Sequence, residues 1–324
     1  MRAIVVDRWM EPSELKVQEV PEPALLPGSL QIEIRAAGCN FFDILMVQGR
    51  YQMKPPFPFI PGAEIAGVVR QVGAGVKDFA PGDRVLASAG LGGFAEVAVI
   101  GTGGAYKLPS DMSFEEGAAL PIIYPTSYAG LVDRGQLAKG ETLLVHAAAG
   151  GVGIAAVQIG KALGARVIAT AGSAEKCEVA LREGADEAID YRTEDFVERV
   201  MALTDGRGAD VIYDSVGGDI TNQSLKCIAW NGRLIIIGFA SGPIPEIKAN
   251  RILLKNIAVT GLHWGAHAQK APARIPEVFG ALFDLYAAGA IRPVIFKSYA
   301  LDDVPVALEA LGSRKTYGKV VIAP

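Results

Sequence analysis

Between residues 142 and 260 short apolar strands alternate strictly with helices, and few folds accept that pattern. Thr142–Val145, Arg166–Thr170, Glu187–Ile189, Asp210–Asp214, Arg233–Ile237 and Asn256–Thr260 read as strands. Gly153–Leu163, a helix running from its Ser173 cap to Glu183, Glu194–Leu203 and Asp219–Trp230 read as the helices between them. Parallel strands need long crossover connections, and these are right-handed. The segment therefore predicts an α/β domain built on a doubly wound parallel sheet.

The flanks follow other rules. Arg2–Val6, Leu15–Val20, Leu30–Arg35, Ile65–Val72, Arg84–Ala87 and Phe94–Ile100 are short, rich in alternating or β-branched residues, and bounded by Pro or Gly. One helix, from Phe41 to about Gln48, interrupts them and is closed by Gly49. After residue 262 come a helix over Arg274–Ala288, a strand near Val294–Lys297, a helix over Val304–Leu311 and a last strand over Gly318–Ile322. That tail is too short for a domain of its own, so it is expected to pack on the β-rich start. The expected organisation is a first domain over 1–121, a second over 122–262, and a return to the first over 263–324.

Composition narrows the function classes. Half the residues are apolar and 20% are charged, enough for sizeable cores and incompatible with a disordered chain. No apolar run reaches the ~20 residues that a membrane-spanning helix needs, and Asp7 and Arg8 interrupt the first ten residues, against a signal peptide. A net charge of −4 without a basic block argues against a nucleic-acid surface. Cys39, Cys177 and Cys227 are odd in number and widely spaced, which suggests a reducing compartment. The expectation is a soluble, cytoplasmic protein.

The turn after the first strand of the alternating segment carries the chemistry. Leu143–Val145 leads into His146-Ala-Ala-Ala-Gly-Gly-Val-Gly153 and then a helix. Set against G-x-G-x-x-G, the three positions are Ala148, Gly150 and Gly153. Gly150 lets the backbone approach a pyrophosphate, and Gly153 lets the helix pack closely on the strand. Ala149, Gly150, Gly151, Val152 and Gly153 are thus candidate dinucleotide contacts at a helix N-terminus. An ordinary tight turn would also fit the glycines, but the strand before, the helix after and the further βα units favour a nucleotide site.

An NAD site places a carboxylate at the end of the next strand, to accept from the ribose 2′-hydroxyl. Here that strand ends in Ala171-Gly172-Ser173, with Lys176 three residues on and Tyr191 and Arg192 after the following strand. No carboxylate repels a 2′-phosphate, and Ser173 and Lys176 offer a hydroxyl and a cation. The reading is NADPH, held by Gly172, Ser173, Lys176, Tyr191 and Arg192.

Several stretches add a resemblance. Asn40-Phe-Phe-Asp-Ile-Leu-Met-Val-Gln-Gly49-Arg-Tyr51, Pro61-Gly-Ala-Glu-Ile-Ala-Gly67, Gly75-Val through Gly82-Asp-Arg-Val85, Ala147–Gly153 and Gly318-Lys-Val-Val-Ile322 resemble the quinone oxidoreductase (zeta-crystallin-like) branch of the medium-chain dehydrogenase/reductase superfamily. The resemblance implies a dinucleotide-binding Rossmann domain plus a GroES-like β-barrel domain made by both chain ends, with the active site in the cleft between them. It implies a homodimer through the edge of the Rossmann sheet, where the strands around Ile235 and Val259 are expected.

The alcohol dehydrogenases of that superfamily hold a catalytic zinc through a Cys and a Gly-His-Glu motif. Asn40 stands at the Cys position and Ala63 at the His position, leaving Glu64 alone. The chain has three histidines, His146, His263 and His267, and no counterpart of the four-Cys lobe. Zinc needs three or four converging ligands, so none is expected. Without a Lewis acid a conjugated acceptor, a quinone or an enone, is the easier substrate, its developing oxyanion stabilised by hydrogen-bond donors.

For that role the resemblance offers Asn40, Tyr51 and Thr126, with Tyr51 either a proton donor or an aromatic wall. Asp43 is expected to hold its helix and Tyr128 to lie in the core. The implied cofactor contacts also include Asn40, Thr126, Ser215, Gly238, Phe239, Ala240, Leu262, Trp264 and Arg314. Two other readings stay open: a reductase of enoyl or acryloyl thioesters, and an NADPH-binding protein with a structural or regulatory crystallin-like role.

Overall fold

The computed structural model describes all 324 residues, and they divide into two compact units. The first unit comprises residues 1–122 and 293–324, the second 123–292. In chain order the first begins with β1 (Arg2–Ile4), β2 (Val17–Glu19), β3 (Ser29–Gly38), α1 (Phe41–Val47), β4 (Glu64–Val72), β5 (Arg84–Ser88), β6 (Val97–Gly101), β7 (Ala105–Lys107) and α2 (Phe114–Ala119). The second holds α3 (Ile123–Ala129), β8 (Thr142–Val145), α4 (Gly151–Ala162), β9 (Arg166–Ala171), α5 (Ala174–Arg182), β10 (Glu187–Asp190), α6 (Phe196–Leu203), β11 (Ala209–Asp214), α7 (Gly218–Cys227), β12 (Ile228–Ile236), α8 (Ala249–Lys255), β13 (Ala258–Gly261), α9 (His267–Lys270) and α10 (Arg274–Ala287). The chain then returns to the first unit with β14 (Ile295–Ala300), α11 (Val304–Gly312) and β15 (Lys319–Ala323).

The second unit is a six-stranded, wholly parallel sheet in the order β10-β9-β8-β11-β12-β13. This is the doubly wound dinucleotide order, with its switch point between β8 and β11. Leu144, Ile168, Ile212 and Leu234 are fully buried on neighbouring strands, each worth about 2 kcal/mol of transfer free energy. The small residues of α4 let it lie close: a Cβ on Gly160 would meet the Leu143 side chain at 2.6 Å.

Some expectations need correction. The strand around Ile235 is interior, and only β13 forms that edge of the sheet. The helix expected to reach Trp230 stops at Cys227, because Ile228 already pairs with Ala209 in β12. α2, α3 and α8 were not expected at all. Residues 263–292 belong to the second unit. Arg274 binds Asp133 at 2.7 Å, and the buried Gln158 of α4 accepts from Arg292 N at 3.0 Å.

The first unit is built on a mixed sheet, β14-β15-β3-β4-β5-β7, with β6 also on β3. All its pairings are antiparallel except β14 with β15. The last strand therefore sits beside β3, as Cys39 N donates to Val320 O at 2.9 Å. No helix is long and apolar enough to cross a membrane.

Candidate functional site

In the second unit the candidate residues gather at the carboxyl ends of the strands. β8 delivers the chain to His146, and Ala147 takes a positive φ of 50° to turn it. Ala148 N donates to Thr170 O at 3.0 Å, fixing the turn to β9. α4 then starts at Gly151, two residues earlier than expected. Its N-cap, Gly150, supplies no side-chain cap, so first-turn N–H groups remain available to an anion. A Cβ on Gly153 would lie 2.3 Å from Ala147 O, so only glycine fits there. Ala148, in place of the first glycine, is buried without strain in φ.

At the end of β9, Ser173 caps α5, its oxygen accepting from Lys176 N at 3.3 Å. Its hydroxyl hydrogen is left to donate elsewhere. Tyr191 lies against this turn, since a Cβ on Gly172 would meet its phenolic oxygen at 2.5 Å. Arg192 is exposed next to it. A pocket of about 300 Å³ opens beside Tyr191, lined also by Glu194, Asp195, Phe196, Ile220 and Gln223. No carboxylate stands at the tip of β9: Ala171, Gly172 and Ser173 occupy it.

Across the switch point, Asp214 ends β11 and accepts from Val216 N, Gly217 N and the Thr221 hydroxyl at 2.8, 3.0 and 2.5 Å. Ser215 follows, buried, and its carbonyl accepts from Ala240 N at 3.1 Å. The Gly238-Phe239-Ala240 turn is thereby tied to the β11 end. Leu262 N donates to Ile236 O at 3.1 Å, and Trp264 stacks on His267 at 4.6 Å. Thr126 is half-buried on α3, as is Tyr128, which was expected in the core. Arg314 lies in the first unit, exposed after α11 with a φ of 58°.

The first unit holds Asn40 and Tyr51 at the two ends of α1. Asp43 accepts from Asn40 N at 2.7 Å and so holds the helix start. Burial pushes the Asp43 carboxyl up to about 7, against the pull of the Asn40 N–H and Lys319. Tyr51 stacks on Phe42 at 5.4 Å. Burial, then the Asp43 charge, raises its phenol and keeps it protonated.

Two residues with no assigned role complete this cluster. Glu64 and Lys319 are 0% and 3% exposed and ion-paired to each other. Asn40 Nδ2 donates to Glu64 Oε1 at 2.8 Å, and Lys319 Nζ donates to Asn40 Oδ1 at 2.6 Å. Glu64 Oε2 accepts from Ile122 N at 2.9 Å. A charged residue opening an otherwise apolar last strand was the one visible sign of Lys319.

Two family models match the chain, the alcohol dehydrogenase GroES-like domain over residues 26–110 and the zinc-binding dehydrogenase over 151–283. A quinone oxidoreductase-like protein 2 homolog of Nematostella vectensis is 44% identical over 298 residues, covering 91% of this chain and 81% of its own. A quinone oxidoreductase of Pseudomonas aeruginosa is 38% identical over 303 residues, covering 92% of both. The chain belongs to the quinone oxidoreductase branch of the medium-chain dehydrogenases/reductases. The structure of Escherichia coli quinone oxidoreductase complexed with NADPH superposes on this oxidoreductase with a TM-score of 0.93, at 35% identity and over 100% of both chains. The mixed sheet of the first unit is accordingly a GroES-like domain and the parallel sheet of the second a Rossmann domain.

The zinc named in one of those family models finds no matching donors in this branch member. No group of three or more His, Cys, Asp or Glu converges anywhere in the chain. At Asn40 the carboxamide is engaged by Glu64, and the Lys319 ammonium already supplies positive charge there. A divalent cation would meet that ammonium.

Proposed function

We propose that this oxidoreductase reduces quinones or other conjugated carbonyls with NADPH and without a metal. The tip of β9 carries the reading. It offers Ser173, Lys176 and Tyr191 where a carboxylate would exclude a 2′-phosphate, beside a glycine turn that leaves the α4 N-terminus open to a pyrophosphate. NADPH bound there supplies the hydride. Gly150 and Gly153 give its phosphates access to backbone N–H groups, with Ala149, Gly151 and Val152 in the same turn. Gly172, Ser173, Lys176, Tyr191 and Arg192 hold the 2′-phosphate end. Ser215, Gly238, Phe239, Ala240, Leu262, Trp264 and Thr126 face the nicotinamide end, and Asn40 and Arg314 complete the cofactor contacts from the first unit.

On the acceptor side, Asn40 and Thr126 donate hydrogen bonds to the oxygen on which charge develops, and Tyr51, kept protonated by its surroundings, donates the proton. The outer edge of β13 has no partner strand within the chain, and we assign it to a second copy, giving a homodimer. Three buried free thiols suit a cytoplasmic setting.

The test is NADPH oxidation, followed by absorbance, with a panel of quinones, enones and enoyl thioesters, repeated with NADH and with a chelator. Turnover of quinones or enones that prefers NADPH and survives chelation is expected. A preference for NADH, loss on chelation, or turnover of thioesters alone would each overturn the corresponding part. Light scattering in solution reads the dimer, and a monomer mass would remove it.

A further inference from the structure

The Lys319–Glu64 pair is costly to place. Both charges are out of water, and such a pair is seldom worth more to stability than apolar residues of the same size. Its geometry gives it another use. The ammonium, the carboxylate and the Asn40 carboxamide form a closed triangle: Lys319 Nζ donates to Asn40 Oδ1 at 2.6 Å, Asn40 Nδ2 donates to Glu64 Oε1 at 2.8 Å, and Lys319 is ion-paired to that same Oε1.

An amide turned by half a revolution would point its NH2 at an ammonium and its oxygen at a carboxylate. Both contacts would become repulsive, so one orientation is enforced. In that orientation the oxygen and one Nδ2 hydrogen are consumed within the first unit. The second Nδ2 hydrogen has no acceptor within the chain, and Asn40 keeps 7% of its surface open.

We propose that Lys319 and Glu64 are positioning residues that lock Asn40 as an obligate N–H donor, so that the site recognises an acceptor by its carbonyl or quinoid oxygen and not by a hydroxyl hydrogen. This rests on the reading of Asn40 as a group that meets the substrate. A free asparagine presents either its oxygen or its nitrogen and serves a carbonyl or an alcohol alike. A locked one cannot accept a hydroxyl hydrogen, so it meets the acceptor only through an oxygen lone pair. A donor preorganised toward the developing oxyanion also loses no free energy to reorientation during the reaction.

The experiment compares wild type with Lys319→Met and Glu64→Gln, each checked for folding by thermal melt. The Asn40 side-chain amide is followed by 15N NMR, and turnover with a quinone or enone is measured alongside the NADPH dissociation constant. In wild type the Asn40 NH2 pair is expected to be rigid and shifted from its free position. In both variants it becomes mobile and kcat falls about tenfold or more, a larger loss than any change in NADPH affinity. A purely structural pair would lower the melting temperature and leave kcat and the amide signals of the folded protein as they are, which overturns the proposal. If neither variant folds, the wild-type signal decides, since a mobile Asn40 amide sinks the lock. If no acceptor is turned over, the reductase reading fails, while the NMR outcome still judges the lock.

Discussion

The Ser224 hydroxyl sits 2.8 Å from Nε2 of His146, and it has already given its own hydrogen to Ile220 O at 2.7 Å. It can only accept, so the Nε2 of a neutral ring carries the proton and Nδ1 accepts from the Thr170 hydroxyl at 2.9 Å. The neutral ring thus joins the ends of β8 and β9 to α7, directly beneath the glycine turn.

Burial holds the imidazole down to about 4, only partly offset by the Asp214 charge. The folded-state value lies below the unfolded one, so the unfolded chain takes up a proton first as pH falls. Stability contributed by neutral His146 is present above about 6.5 and is lost as pH drops toward 4. His146→Leu should flatten that acid slope in thermal melts. It should also cost about 3 kcal/mol at neutral pH, because two buried hydroxyls lose their partner. An unchanged acid slope would contradict the assignment.

Asp43 acts in the opposite sense and in the other unit. Its carboxyl is raised to about 7 by burial, so the folded state keeps a proton that the unfolded state releases above about 4. Its contribution therefore declines as pH rises from 4 through 7. Asp43→Asn retains an acceptor for the Asn40 N–H and should remove this decline. Hydrogen exchange of α1 amides at several pH values reads it locally, and the same pH trend in the variant would be the contrary result.

Gly153→Ala tests the turn itself. The added methyl would press on Ala147 O and on Ala148 Cα, 2.3 and 2.7 Å away. Backbone cannot rotate aside as a side chain does. A destabilisation of about 2 kcal/mol or more is expected, with NADPH affinity at least about tenfold weaker. A denaturant melt checks the first and calorimetric titration the second, and wild-type binding by the variant would show that the close approach is dispensable.

Ser173→Asp separates the two nicotinamide cofactors. Aspartate caps a helix as well as serine does, so the fold of α5 should survive. The new carboxylate should repel a 2′-phosphate and weaken NADPH about a hundredfold, since like charges in contact cost several kcal/mol. NADH should be affected only a few-fold. Fluorescence titration with both cofactors is decisive, and a parallel loss for the two would move the 2′-phosphate away from Ser173.

What the sequence disclosed and what it withheld divide along a physical line. Alternation of apolar strands with capped helices is a local signal, and it located β8 to β11 and the Ser173 cap within a few residues. The end of α7 is also local, but Cys227 through Trp230 are compatible with either period, and pairing of Ile228 with Ala209 decided for strand. In α8 the apolar residues Ile252, Leu253 and Leu254 are consecutive and show no helical period, and none is fully buried. Non-local choices left less trace. Whether 263–292 joined one unit or the other depended on Arg274 finding Asp133, 141 positions away. The triangle around Asn40 was beyond reach for the same reason: only the fold brings Glu64 and Lys319 together, and they are far apart in sequence from each other.

The placement of β15 between β14 and β3 sets an order of events during synthesis. Residues 123–292 form a unit from contiguous chain and can close while translation continues. The first unit cannot, because its central sheet lacks the strand that bears Lys319. Asn40 and Lys319 are 279 positions apart, a delay on the order of 15 to 55 seconds at ordinary elongation rates. Through that interval Glu64 has no counter-charge, so the half of the molecule that is made first is the half that finishes last.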